Sequence, residues 1–348
     1  MGVFDVDRDG KLDIVTDEYW YAGPNFTPHE IRTPQTYDPA NAFSDCFAIY
    51  PQDIDGDGWA DIIVAPHVGD AMYWYENPKA ADMHWPRHLL SPQGAPGLET
   101  PIVADLFGDG RQLVVMTDTL QGVLGWFTAP ADPTQPWDLH PISGPGYVGS
   151  ADATHGIGVG DVDGDGRTDV MTSYGWFRQT SDPNTWAFHS TPFGSSPPGA
   201  CSRMFARDLD GDGLGDILCS RPHDYGLHWF SQVKGAMGSS FVDHVIDSSI
   251  SQMHALRLDD LDGDGVPEII SGKRFWAHGS ATDPGVNDPA VLVYYSIIEG
   301  PGGVSFERHD IDADSGIGDQ FAIADLDGDG KSDIVTSNKK GLAVFRQR

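Results

Sequence analysis

The chain has 348 residues, 39% of them hydrophobic, and a formal net charge of −31 from 52 acidic against 21 basic residues. No apolar run approaches the length of a membrane-spanning helix, the strongest being short pieces such as Ile62-Ile63-Val64-Ala65, so no membrane insertion is expected. Lys and Arg are too few and too dispersed to track a phosphate backbone, which excludes nucleic acid as a partner.

Met1-Gly2-Val3-Phe4-Asp5 has no basic start and no apolar core, so this chain shows no signal peptide. It leads directly into Asp5-Val6-Asp7-Arg8-Asp9-Gly10-Lys11-Leu12-Asp13, and the same pattern starts again at Asp53, Asp161, Asp208, Asp260 and Asp325. A degenerate copy starts at Asp105, where Phe107 and Leu113 replace two of the acids. Successive starts lie 47 to 65 residues apart, the length of a four-stranded blade with its loops. Seven copies predict an all-β, seven-bladed β-propeller forming one domain over 1–348.

Carboxylates at positions 1, 3, 5 and 9 let the chain curl around one hard cation, and glycine at position 6 permits the turn. The ligand sets are Asp5, Asp7, Asp9 and Asp13; Asp53, Asp55, Asp57 and Asp61; Asp161, Asp163, Asp165 and Asp169; Asp208, Asp210, Asp212 and Asp216; Asp260, Asp262, Asp264 and Glu268; and Asp325, Asp327, Asp329 and Asp333. All-oxygen donors select Ca²⁺, about six ions, with none expected in the degenerate copy. Six loops of four acids, with Asp105 and Asp109, account for 26 of the 52 acidic residues. An EF-hand is excluded: position 12 is Thr16, Val64, Thr172, Cys219, Ser271 or Thr336 and never Glu, and β-formers such as Ile334-Val335-Thr336 follow where a helix would continue. Loops of this kind suit millimolar extracellular calcium, so an extracellular or periplasmic location is expected.

In this pattern the chain resembles the FG-GAP/VCBS repeat family, whose integrin-type members are calcium-loop propellers. The resemblance covers essentially the whole chain and implies the fold and the metal. It leaves the function open, since the family includes adhesion, lectin-like and enzymatic members.

Within each repeat a short apolar strand precedes the loop and another follows it. A third strand carries an aromatic pair: Trp20-Tyr21, Trp74-Tyr75, Trp126-Phe127, Trp176-Phe177, Trp229-Phe230 and Tyr294-Tyr295. A fourth carries one histidine: His29, His88, His140, His189, His244 and His309. Their recurrence at one position predicts packing and hydrogen bonding between blades rather than catalysis. The seventh repeat stops after Leu342-Ala343-Val344-Phe345, so either residues upstream of Met1 complete the last blade or it has three strands. Three cysteines, Cys46, Cys201 and Cys219, are too few for a disulfide framework, and Cys46 and Cys201 are expected to be free thiols.

Aligning the copies puts Phe47, Glu99, His155, Ser202, His254 and Asp319 six residues before the first loop aspartate, at the start of the innermost strand. That position rings the axis on the face opposite the calcium loops. The second strand returns to the same face and delivers Tyr19, His67, Tyr174, Arg221, His223 and Lys273, among others, with Trp20 and Arg203 nearby. An insertion from Phe275 through Trp276 and His278 to Pro289 overhangs the axis as a lid.

Three functions fit this convergence. In the first, the mouth binds a carbohydrate, with Tyr19, Trp20, Tyr174 and Trp276 stacking on sugar faces while His67, Arg203, Arg221, Lys273 and His278 bond to hydroxyls. In the second, His155, His254, Glu99 and Asp319 hold a transition-metal ion and a free histidine such as His223, or Tyr174, moves a proton, giving a sugar lyase or dehydratase. This arrangement is similar to the metal-centred propeller of aldos-2-ulose dehydratases in its repeat pattern and ring histidines. In the third, the chain is a protein-adhesion scaffold.

Overall fold

A computed structural model describes the chain except residues 152, 192, 194–200, 236–237, 280–281 and 301–302. The β-formers that flank each acidic loop pair as antiparallel strands, and each loop joins the first strand of a meander to its second. The first meander is β1 (Gly2–Phe4), β2 (Asp13–Val15), β3 (Tyr19–Ala22) and β4 (Thr27–Glu30); the second is β5 (Ala48–Gln52), β6 (Asp61–Ala65), β7 (Met72–Tyr75) and β8 (Arg87–Ser91). The third is β9 (Ile102–Ala104), β10 (Leu113–Asp118), β11 (Val123–Thr128) and β12 (Asp138–Pro141). The fourth is β13 (Ile157–Gly160), β14 (Asp169–Thr172), β15 (Gly175–Gln179) and β16 (Trp186–His189), and the fifth is β17 (Arg203–Arg207), β18 (Asp216–Ser220), β19 (Tyr225–Gly235) and β20 (Gly238–Ser251). The sixth is β21 (Leu256–Asp259), β22 (Glu268–Gly272), β23 (Leu292–Gly300) and β24 (Gly303–Asp312), and β25 (Phe321–Ala324), β26 (Asp333–Asn338) and β27 (Gly341–Phe345) form a last, three-stranded sheet. β13 also pairs in parallel with β17, which fuses the fourth and fifth meanders into one eight-stranded sheet.

This is an all-β architecture consistent with a propeller. The first strands of the second to seventh meanders line one shared cavity of about 250 Å³, reached by Tyr50, Val103, Val159, Arg203, Arg257 and Gln320. Arg203 reaches across it, donating to Tyr50 Oη at 3.0 Å and to the Pro101 carbonyl at 3.1 Å.

The recurrent histidines pack inside the meanders, not between them. Each lies directly across from the third-strand aromatic, in the pairs Trp20↔His29, Trp74↔His88, Trp126↔His140, Trp176↔His189, Trp229↔His244 and Tyr294↔His309. Their rings stack at centroid separations of 3.9 to 4.5 Å. Cross-strand neighbours on one face are close enough for this, which the sequence register alone did not reveal. The link between neighbouring meanders is instead an amide in or just after the third strand. Asn77, Gln179, Gln232 and Gln347 donate to the carbonyls of Val6, Leu106, Val162 and Leu261 in the preceding acidic loop.

The cysteine expectation is corrected for one of its two residues. Cys201 and Cys219 form a disulfide between the entry to β17 and the middle of β18, while Cys46 is a free thiol. The antiparallel return of β18 brings together two cysteines that are 18 residues apart in sequence.

Candidate functional site

At one end of the first strands, each acidic loop forms a preorganised cup. The position-1 carboxylate accepts from backbone N–H groups of its own loop, Asp5 from Gly10 at 2.9 Å and Asp53 from Gly58 at 3.0 Å, and the glycine at position 6 adopts a left-handed φ of +83° in Gly10. The position-9 carboxylate turns inward and is buried. Asp13 accepts from Val6 N and Gly23 N, Asp61 from Ile54 N and Asn77 N, and Asp169 from Val162 N and Gln179 N. Burial pushes Asp61 and Asp169 up to about 7 and Asp216 to about 6, and neighbouring loop aspartates add to the rise. Oxygens of Asp5, Asp7 and Asp13 lie within 4.8 Å of one another, a spacing a divalent ion spans. The degenerate loop keeps the same backbone cup around Asp105, but Leu113 is buried where the others place a carboxylate, and Phe107 packs edge-on against Trp126.

The opposite end of those strands, about 13 Å away at the usual rise of a four-residue strand such as β13, carries a different cluster. Glu99, His155, His254 and Asp319, each just before its innermost strand, converge there. Glu99 Oε2 lies 3.7 Å from His155 Nδ1 and 3.8 Å from His254 Nε2. His223, from the turn after β18, brings its Nε2 to 2.8 Å from His155 Nε2. Nitrogens of His155, His223 and His254 all fall within 4.8 Å of one another. The backbone at His155 is set by Gly156, whose φ of +92° and contact with Ser173 leave no room for a side chain.

Orienting groups stand behind these ligand atoms. His254 Nδ1 faces the Gln252 carbonyl at 3.2 Å, which leaves Nε2 with its lone pair turned to the cluster. Asp283 lies 3.5 Å from His223 Nδ1 and 3.1 Å from His278 Nδ1, and the His278 ring stacks on His223 at 4.3 Å. The insertion that carries Asp283 and His278 is held down by Gln252, which donates to the Pro284 carbonyl and accepts from Ala277 N. Arg274 pairs with Asp319 at 2.7 Å, lies 3.6 Å from Glu99, and rests over the Phe47 ring.

Burial dominates the electrostatics of this cluster. It lowers His155 and His223 to about 3 and His254 well below the ordinary histidine value, with Arg274 among the further causes, so all three are neutral imidazoles. It raises Asp319 to about 7 against the pull of Arg274, and raises Glu99 against Arg274, His278 and His67. Glu99 Oε2, His254 Nε2 and His223 Nδ1 are buried without a hydrogen-bond partner. Buried polar atoms left in that state are costly, and a cation between them would satisfy the first two at once. The donor set, three imidazoles and a carboxylate, fits a transition metal such as zinc better than calcium.

The other sequence-predicted residues divide. His67 joins the mouth through ring contacts with Phe43 and Phe47. Trp276 is half-buried and stacked on Phe275 at the start of the insertion, and Arg221 lies half-buried at the turn that carries His223. Trp20 cannot offer a face to a sugar, because it is buried and stacked on His29. Lys273 is not a free cation at the mouth: it is buried, and its ammonium donates to the carbonyls of Arg274 and Val286. Arg203 points into the axial cavity. Tyr174 packs against Tyr147, and Tyr19 lies beside Tyr21; among the described residues no hydrogen bond or ring contact joins either to the histidines. Sequence reasoning did not single out Asp283 or Phe43, which sit in non-repeated loops where no register exists to mark them.

Consecutive meanders, acidic loops and a shared axial cavity define an all-β protein of propeller-like build. A model described as the FG-GAP-like repeat matches residues 53–116 and 208–271, and the chain carries FG-GAP-like repeats. No curated protein sequence matches it. Among solved structures it is similar to a lectin of Agrocybe aegerita, described for specific recognition of non-reducing terminal N-acetylglucosamine. That likeness has 19% identity and a TM-score of 0.54, and covers 90% of this chain and 80% of the lectin. It is also similar to BBS1N, solved in complex with ARL6DN, at 10% identity and a TM-score of 0.56 over 100% of this chain and 92% of the other. At such identities the likeness concerns the fold.

Proposed function

We propose that the chain is a single seven-bladed propeller stabilised by about six calcium ions, and that its opposite mouth binds a carbohydrate over a transition-metal centre. We read it as a metal-dependent sugar lyase or dehydratase of the extracellular or periplasmic space. The observation that carries this reading is the convergence of His155, His223, His254 and Glu99, in which the buried Glu99 Oε2 and His254 Nε2 lack hydrogen-bond partners. Simple sugar binding has less support, since Trp20 and Lys273, two of the groups it would use, are committed to the interior.

His155, His223, His254 and Glu99 would hold the ion, with Asp283 and the Gln252 carbonyl fixing the ring orientations of His223 and His254. A bound divalent ion supplies Lewis acidity toward a substrate oxygen. Arg274, paired with Asp319, positions the Glu99 carboxyl and favours its charged form against burial. His278 is exposed, with Nδ1 held by Asp283, so Nε2 is the group to take a proton from a sugar carbon and return it to the departing hydroxyl as water leaves.

Metal analysis of protein purified without a histidine tag tests this. One equivalent of transition metal beside calcium is expected, lost in His254→Ala with calcium unchanged. Wild-type protein that takes up no transition metal, or a variant that retains it, would overturn the proposal.

A further inference from the structure

A second cavity, about 280 Å³ and therefore close to the lower end of ligand pockets at roughly 300 Å³, lies beside the histidine cluster. Arg274 and Asp319 line it and also belong to the cluster, so the two spaces share a wall. Phe43 lines this cavity and touches the mouth as well. Its ring is 5.4 Å from His67 and 6.3 Å from His278, and the Lys339 ammonium sits over it at 4.4 Å.

The charged side chains that line this cavity are not all paired. Asp17 is tied to Arg32, which Asp45 grips with both oxygens, and Asp319 is tied to Arg274. Lys339, in the turn between β26 and β27, makes no ion pair among the described residues. Asp319 and then Asp38 favour its charge from a distance, but Asp319 already pairs with Arg274, and Asp38 is exposed and accepts from Asn41 and the Ala40 N–H. Burial and the neighbouring Arg274 both disfavour the Lys339 ammonium. A half-buried cation next to a second cation, in a cavity open to a ligand, is a place where an anion is stabilised.

We propose that this cavity receives the carboxylate of an acidic sugar, a uronate or aldonate, held by Lys339 and Arg274 with its hydroxylated carbons directed along Phe43 toward His278, His67 and the metal ligands. The inference rests on the reading of the mouth as a metal-dependent sugar site and narrows its substrate to a carboxylated one. A neutral sugar leaves the cation uncompensated and binds more weakly.

Isothermal titration of D-glucuronate and D-glucose into calcium-replete, zinc-loaded protein tests it, with metal content measured on the same samples. The wild type should prefer glucuronate by roughly tenfold, the scale of one charge-assisted contact. In Lys339→Gln, which keeps a polar side chain of similar reach in the turn, the preference should fall to within about twofold, with melting temperature and metal content unchanged. Equal binding of the two sugars, no binding of glucuronate, or a preference that survives Lys339→Gln would overturn the inference. A wild type without transition metal that still prefers glucuronate would sink the metal reading alone.

Discussion

The two ends of the first strands solve the burial of charge in opposite ways. At the loop end the buried carboxylates are held by backbone donors: Asp13, Asp61, Asp169, Asp216 and Asp333 each accept from two N–H groups, one at the loop and one in or just after the third strand, and Glu268 accepts from Leu261 N. At the histidine end, Glu99 Oε2 and His254 Nε2 are buried 3.8 Å apart, and neither has a hydrogen-bond partner. A structural motif repeated along the chain satisfies its own polar groups, because each copy must hold its meander together. A site kept for a ligand leaves them open, at a cost in stability that the rest of the fold carries.

The largest predicted effect separates the ends by chemistry. If free calcium is about tenfold above each site's dissociation constant, binding contributes roughly 1.4 kcal/mol per ion, or about 8 kcal/mol over six. Excess EGTA should therefore lower the melting temperature by more than 10 °C, an effect on the scale of a whole domain's stability of about 5–15 kcal/mol. An unchanged melt would break the loop half of the comparison. Next, the buried disulfide closes an 18-residue interval, so the Cys201→Ser, Cys219→Ser double variant should lose about 3 kcal/mol in denaturant titrations, with or without calcium.

Gly156→Ala comes third, because the left-handed backbone and the collision with Ser173 should cost about 1–3 kcal/mol and displace His155. Its signature is a fall in transition-metal affinity at unchanged calcium content. The smallest effect compares loops. Asp161→Ala, which also loses backbone hydrogen bonds of its loop, should lose about 1.4 kcal/mol more with calcium than without it. Asp105→Ala, in the loop closed by Leu113, should show a loss that does not depend on calcium. Equal calcium dependence in the two variants would mean that the degenerate loop binds an ion.

What was legible in the sequence follows the same division. The loops could be read because a fixed spacing of acids and glycine recurs, and register then carried Glu99, His155, His254 and Asp319 to one end of the first strands. The fourth-strand histidines were legible as a repeat, but their stacking on Trp20 or Trp126 depends on which residues face each other across β3–β4 or β11–β12, and spacing in one strand does not fix that. Asp283 and Phe43 depend on how single, unrepeated loops fold back over the mouth, and the Cys201–Cys219 bond on how β17 pairs with β18. Arg274 and Lys273 are adjacent in sequence, yet one faces the acids and the other turns to backbone carbonyls, a choice made by tertiary packing.

Diffraction recorded just above and below the zinc absorption edge, from crystals grown with zinc and calcium, tests the contrast between the two ends most directly. The account predicts one anomalous peak among His155, His223, His254 and Glu99, with no edge-dependent signal in the aspartate loops. Zinc signal confined to the loops, or none at the histidines, would contradict it.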